Sequence, residues 1–97
     1  MDGSMVELPK YECHKIVHAI KIRTIVYDAD TATKESRETD GSALLYPAEE
    51  GYGPINVNYD YVKKHKPQAG GYYVVYKDGY KSFSPAEAFE DGYTRIN

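Results

Sequence analysis

Between Tyr11 and Tyr27 the chain carries Ile16, Val17, Ile20, Ile22, Thr24, Ile25 and Val26, and no other segment limits its fold as strongly. β-branched side chains are stiff at χ1 and pack well on a pleated surface, so a run this dense reads as strand. Alternation places Ile16, His18, Ile20, Ile22, Thr24 and Val26 on one face. Lys15, Val17, Ala19, Lys21, Arg23 and Ile25 fall on the other, which predicts one mostly apolar and one mixed face. The run is longer than an ordinary strand. A bend, a bulge, or two chains pairing along it is therefore expected.

A second signal lies at the other end. Gly70-Gly71 precedes Tyr72, Tyr73, Val74, Val75 and Tyr76, then Lys77-Asp78-Gly79, then Tyr80, Lys81, Ser82 and Phe83. Asp-Gly between β-rich runs marks a hairpin, because glycine accepts the positive φ of the turn. A two-residue loop would pair Lys77 with Tyr80, and a three-residue loop with a bulged Gly79 would pair Tyr76 with Tyr80. The choice of register decides which tyrosines share a face.

The remaining elements are short. Residues 1–10 have no periodicity and are expected to be disordered, with Met5 as a candidate native start. A single domain is expected over 11–97, with a polar loop or hairpin tip at about 28–41, a stretch with no large apolar residue. Ser42–Tyr46, ended by Pro47, and Ile55–Val57 read as short strands. Asn58 caps a predicted helix through Lys64, with Asp60 in its first turn, Lys63, Lys64 and Lys66 near its end, and Tyr59 and Val62 as its anchor. Ser84-Pro85-Ala86-Glu87 reads as a capping box opening a helix through Glu90, with Ala86 and Phe89 on one side, Gly92 as its cap, and Tyr93–Ile96 as a tail. The fold class is α+β: a small twisted antiparallel sheet of about four to six strands with two short helices.

Composition excludes several functions. The chain has 97 residues, net charge −3 and a pI near 5.5, which argues against general nucleic-acid binding. No apolar run is long enough to span a membrane, and no signal peptide is visible. Cys13 has no second cysteine to pair with, which fits a reducing compartment and a half-buried strand residue. Neighbours on a strand point to opposite faces, so Cys13 and His14 make a poor dyad. His14 and His18 on a strand would stand about 13 Å apart and could not share a metal ion. No phosphate loop and no acid–base pair is present, so neither an enzyme nor a cofactor is expected.

The tyrosine-rich hairpin is the candidate surface. Tyrosine pairs a large apolar ring with a polar tip and suits half-wet sites. Tyr76, Tyr80 and Phe83 are the candidate stacking residues for a partner protein or a nucleotide base. Arg23, Arg95 and the lysines Lys63, Lys64 and Lys66 are candidate anion ligands, with Arg37 another possible member of such a patch.

GGYYVVYKDGYKSFSPAEAFEDGYTRI (Gly70–Ile96), with YECHKIVHAIKI (Tyr11–Ile22) and AEEGYGPINV (Ala48–Val57), resembles a widespread group of small phage- and prophage-encoded proteins. The resemblance spans roughly Tyr11–Ile96, apart from the polar stretch Thr31–Gly41. It carries no catalytic motif, so no active site follows from it. It implies a small protein of the host cytoplasm, made during infection or lysogeny, that acts by binding. The expectation drawn from it is a non-enzymatic accessory protein for host interaction or counter-defence. Its partner would be a host or defence-system protein, or a sequestered nucleotide signal, and a homo-oligomer is expected from the long strand and exposed rings. The alternative is a small structural or assembly protein of the phage particle.

Overall fold

The computed structural model describes residues 7–12 and 15–97. Among the described residues, seven strands and three short helices follow in the order β1 (Lys10–Glu12), β2 (Ile16–Tyr27), α1 (Asp28–Lys34), β3 (Ala43–Pro47), β4 (Ile55–Val57), α2 (Tyr59–His65), β5 (Tyr72–Val75), β6 (Lys81–Ser84), α3 (Ala86–Gly92) and β7 (Thr94–Arg95). The class is α+β with an open antiparallel sheet, one strand and one helix beyond the expected range.

β2 is the spine. Its first half pairs with β1 (Tyr11 opposite Val17) on one edge and β5 (Ala19 opposite Val74) on the other. β3 then takes over the edge that β1 leaves: the Ala19 N–H donates to Pro9 O, and the Ala48 N–H to Lys21 O, two residues further along. The expected irregularity is a register shift between Ile22 and Thr24, at Arg23. An extra residue there reverses the alternation, so Ile25, rather than Thr24 or Val26, continues the packing of Ile20 and Ile22. The seventeen-residue strand is corrected in one respect. β1 and β2 form a hairpin with Glu12 opposite Ile16, and Cys13 and His14 lie outside the described residues.

Both the mostly apolar and the mixed face contribute to cores: on the mixed face Val17 and Ala19 are buried while Lys15, Lys21 and Arg23 stay exposed. On one face Ile20 and Ile22 join Leu45, Val57, Tyr61 and Tyr73 in a core closed by α2. On the other, Val17 and Ala19 join Tyr72, Val74 and Phe89 beneath α3. Neighbouring strand residues point oppositely, so Tyr72 and Tyr73 enter different cores. Phe89 alone, 1% exposed, contributes about 1.5–3 kcal/mol by leaving water.

Several local expectations need correction. Residues 7–10 belong to the fold, since Pro9 is buried and Leu8 packs on the α2-side core; residues 1–6 lie outside the described residues. The segment 28–41 opens with α1, whose Ala32 is buried. The rest is tied to one carboxylate: Asp28 accepts from Arg37 Nη2 at 2.8 Å, Arg37 Nη1 at 3.2 Å and Thr39 Oγ1 at 2.8 Å. These donors hold the Asp28 carboxyl well below its usual range, the Arg37 hydrogen bonds first. Asn58 caps α2 as expected, accepting from the Tyr61 N–H at 2.9 Å. The anchor of α2 is Tyr61 with Val62, because Tyr59 is 51% exposed and covers Gly41 instead. The capping box does not form. Ser84 stays in the β-ladder opposite Tyr72 and its hydroxyl donates to Pro85 O, so α3 starts without a side-chain cap. Gly92 is the last helical residue rather than a left-handed cap, and Tyr93 follows in extended conformation.

Candidate functional site

The β5–β6 hairpin takes the three-residue loop. The Gly79 N–H donates to Tyr76 O and the Tyr76 N–H to Tyr80 O, both at 2.8 Å, with Gly79 at φ +91°. Asp78 Oδ1 accepts the Tyr80 N–H at 3.0 Å and braces the turn. This register sets Tyr76 opposite Tyr80, their rings 6.0 Å apart and 23° from parallel. Tyr72 and Tyr73, by contrast, are buried core residues. Tyr80 is exposed beside the end of α2, and Tyr76 is half-buried at the margin of the α3-side core.

Basic groups gather around this pair. Lys15 Nζ lies 4.8 Å from the centre of the Tyr76 ring, and Lys64 Nζ 5.2 Å from that of Tyr80. Each such cation–ring contact contributes about 0.5–1 kcal/mol at an exposed site. His65 lies between two tyrosines, tilted against Tyr61 and edge-on to Tyr80, with its Nε2 3.4 Å from the Tyr80 hydroxyl. Burial first, then Lys64, lowers the His65 pKa below its ordinary value. Below this layer the Tyr61 hydroxyl donates to Ser82 O at 2.6 Å, and burial pushes its phenol pKa well up.

Between β2 and the hairpin tip the α2-side face runs on without a helix over it. Ile16, His18, Val75, Tyr76 and Tyr80 line an open cleft of about 1390 Å³, with Lys10, Lys15 and Lys77 at its sides. His18 Nε2 lies 3.2 Å from Glu7 Oε2 but without hydrogen-bond alignment, and that nitrogen is shielded from solvent.

Of the expected site residues, the structure brings together Tyr76, Tyr80 and Lys64. Phe83 belongs to the α2-side core, so close on Gly71 that a Cβ there would come within 2.4 Å of its ring. Arg95 is closed on Glu49 in a two-pronged ion pair at 2.9 and 3.0 Å, which raises its pKa. Arg37 is committed to Asp28 and Glu35. Arg23 stands exposed at the β2 bulge, Lys63 lies over Tyr59, and Lys66 is the left-handed residue ending α2. None of these six lines the cleft.

Sequence reasoning missed Lys10, Lys15, Ile16 and His18 as cleft residues. A signal existed in lengths: a seven-residue helix is about 10 Å long, and a twelve-residue strand about 40 Å, so helices this short leave part of the apolar face open. The lysines carried no comparable signal. The β1–β2 pairing delivers Lys10, which sits opposite His18.

The chain is similar to a phage decoration protein. The NMR solution structure of the monomeric form of the phage L decoration protein superposes with a TM-score of 0.62 and 26% sequence identity, covering 93% of this chain. The match takes in 60% of the decoration protein's length, so that protein extends well beyond the shared region. Neither the protein-family models nor the curated proteins searched contain a match.

Proposed function

We propose that this chain is a structural accessory protein of a phage particle that attaches to the capsid surface. The likeness to the phage L decoration protein over 93% of the chain carries this reading. The architecture suits it: a sheet covered on both faces supports an open, ring-lined cleft at one end, a form fitted to adhesion. A phage or prophage gene as its source belongs to the same proposal, as does assembly with other copies through the edge strands β4, β6 and β7.

Counter-defence by nucleotide capture has less support. It requires phosphate ligands next to the Tyr76–Tyr80 pair, and both Arg95 and Arg37 are spent on carboxylates elsewhere. A host or defence-system protein as partner has no observation in its favour beyond the open cleft.

The test is particle composition. Particles of the phage that encodes the chain, purified on a density gradient, should carry it at a fixed copy number, and particles made without it should bind the purified chain saturably. Particles free of the chain in both experiments would overturn the reading.

A further inference from the structure

We infer that the cleft between β2 and the β5–β6 tip is a docking groove for an acidic protein segment carrying one aromatic or aliphatic anchor. In the capsid setting, which rests on the reading above, that segment would belong to the particle surface.

The groove is the uncovered continuation of a core face. His18 pairs with Val75 and Ile20 with Tyr73, so Ile16, His18 and Val75 share the face that holds Ile20, Ile22 and Tyr73. Over Tyr73 that face is closed by Tyr61 of α2, whereas Ile16 is 47% and Tyr80 43% exposed. The floor therefore offers apolar surface to an anchor side chain.

Charge selects the sign of the occupant. The chain is acidic, with net charge −3, yet among the described residues that line the groove Lys10, Lys15 and Lys77 stand against one acid, Asp78. Asp78 is engaged in its own turn through the Tyr80 N–H, and no ion pair to those three lysines occurs among the described residues. Lys64 adds a fourth ammonium above Tyr80. Glu7 is the nearby counter-example, placed against His18 rather than against the lysines.

Shape and donor type favour a peptide over a small anion. At about 1390 Å³ the groove exceeds the range of about 300–1,000 Å³ usual for small-molecule sites. Its cations are lysines spread along the sides, with no guanidinium fork to clamp a phosphate. Separated point charges flanking an apolar floor match acidic residues on both sides of an anchor.

The test uses the full chain, isotopically labelled, and the blocked pentapeptide EEFEE as probe, with KKFKK as the opposite-charge control. NMR titration should move the amides of Ile16, His18 and Val75 to Tyr80 with EEFEE and leave them in place with KKFKK. The double variant Lys15→Glu/Lys77→Glu alters two exposed side chains and should weaken the probe about tenfold or more, while Lys34→Glu on α1 leaves it unchanged. Absent shifts, equal shifts with both peptides, or an unaffected double variant would overturn the groove. Sedimentation with particles separates the two readings. If wild type and double variant pellet equally, the groove falls and capsid attachment stands. If the probe binds the groove and wild type does not pellet, the reverse holds.

Discussion

Two aromatic stacks draw on tyrosines of the same hairpin, Tyr72 in one and Tyr76 with Tyr80 in the other, and have opposite fates. In the first, Phe89 lies between Tyr72 (centroids 4.3 Å apart, 22° between planes) and Tyr93 (4.6 Å, 13°), with Tyr11 edge-on at 4.7 Å. In the second, Tyr76 and Tyr80 stack at 6.0 Å with one ammonium group near each ring. The first is roofed by α3, and its polar tip is satisfied: the Tyr72 hydroxyl donates to Glu90 Oε2 at 2.8 Å, and Lys21 reaches the same oxygen at 3.5 Å. That phenol, chiefly because of burial, has a raised pKa, while the hydrogen bond from Tyr72 lowers that of Glu90. The second is only flanked, by Lys64 and His65 at the end of α2 beside Tyr80 and by the margin of the α3-side core beside Tyr76. The same residue type makes core in one place and a candidate binding surface in the other, and the cover overhead is the difference.

The largest expected effect tests the closed stack. Phe89→Ala should cost about 3–5 kcal/mol in urea denaturation, because the three rings around it cannot close the cavity. A cost below about 1 kcal/mol would show the stack to be loosely packed and would erase the contrast. Gly71→Ala comes next, at about 1–3 kcal/mol, since an added Cβ would meet Phe83 Cζ at 2.4 Å and Ser84 O at 2.9 Å where β5 begins. Its thermal midpoint is the readout, and an unchanged midpoint would mean that Phe83 can move aside. Tyr80→Ser should cost only about 1 kcal/mol, the loss of its ring and ammonium contacts, yet weaken the acidic probe. A stability loss rivalling that of Phe89→Ala would make the open pair a core element after all.

The smallest effect is one of pH, at the edge of the open pair. Because the His65 pKa is lowered in the folded state, the unfolded chain binds the extra proton first as pH falls. The contribution of neutral His65 is fully present above the ordinary value of 6.5 and is lost as pH drops through the lower folded value. Denaturation curves from pH 8 to pH 5 should show this loss in wild type and lack it in His65→Gln. Equal slopes would mean that burial of His65 between Tyr61 and Tyr80 has no energetic consequence.

Much of the fold was legible where a local rule met no competitor. Asn58 had free N–H groups to cap and does so, and Asp78-Gly79 makes the turn its glycine permits. Ser84 had a competitor: the ladder to Tyr72 holds its backbone, so a capping pattern in sequence was overridden by strand pairing. The α1 region was misread because a helix this small needs only Ala32 as its buried contact, and its order depends on Arg37 reaching back nine residues to Asp28. The candidate site was half legible. Tyr76 and Tyr80 follow from the turn, but Lys15, Lys64 and His65 join them only through the folding of β2 and α2 around the tip.

What the sequence determined by itself is the alternation along β2 and β5 and the Asp-Gly reversal, because φ, ψ preferences and the two-residue period are local properties. What the tertiary structure decided is which of the alternating side chains are covered. That depends on where two seven-residue helices come to rest, on the bulge at Arg23 that shifts the pattern, and on which carboxylate reaches each arginine. A period says that two faces exist. Only packing says where each face ends, and here the open cleft lies where one of them does.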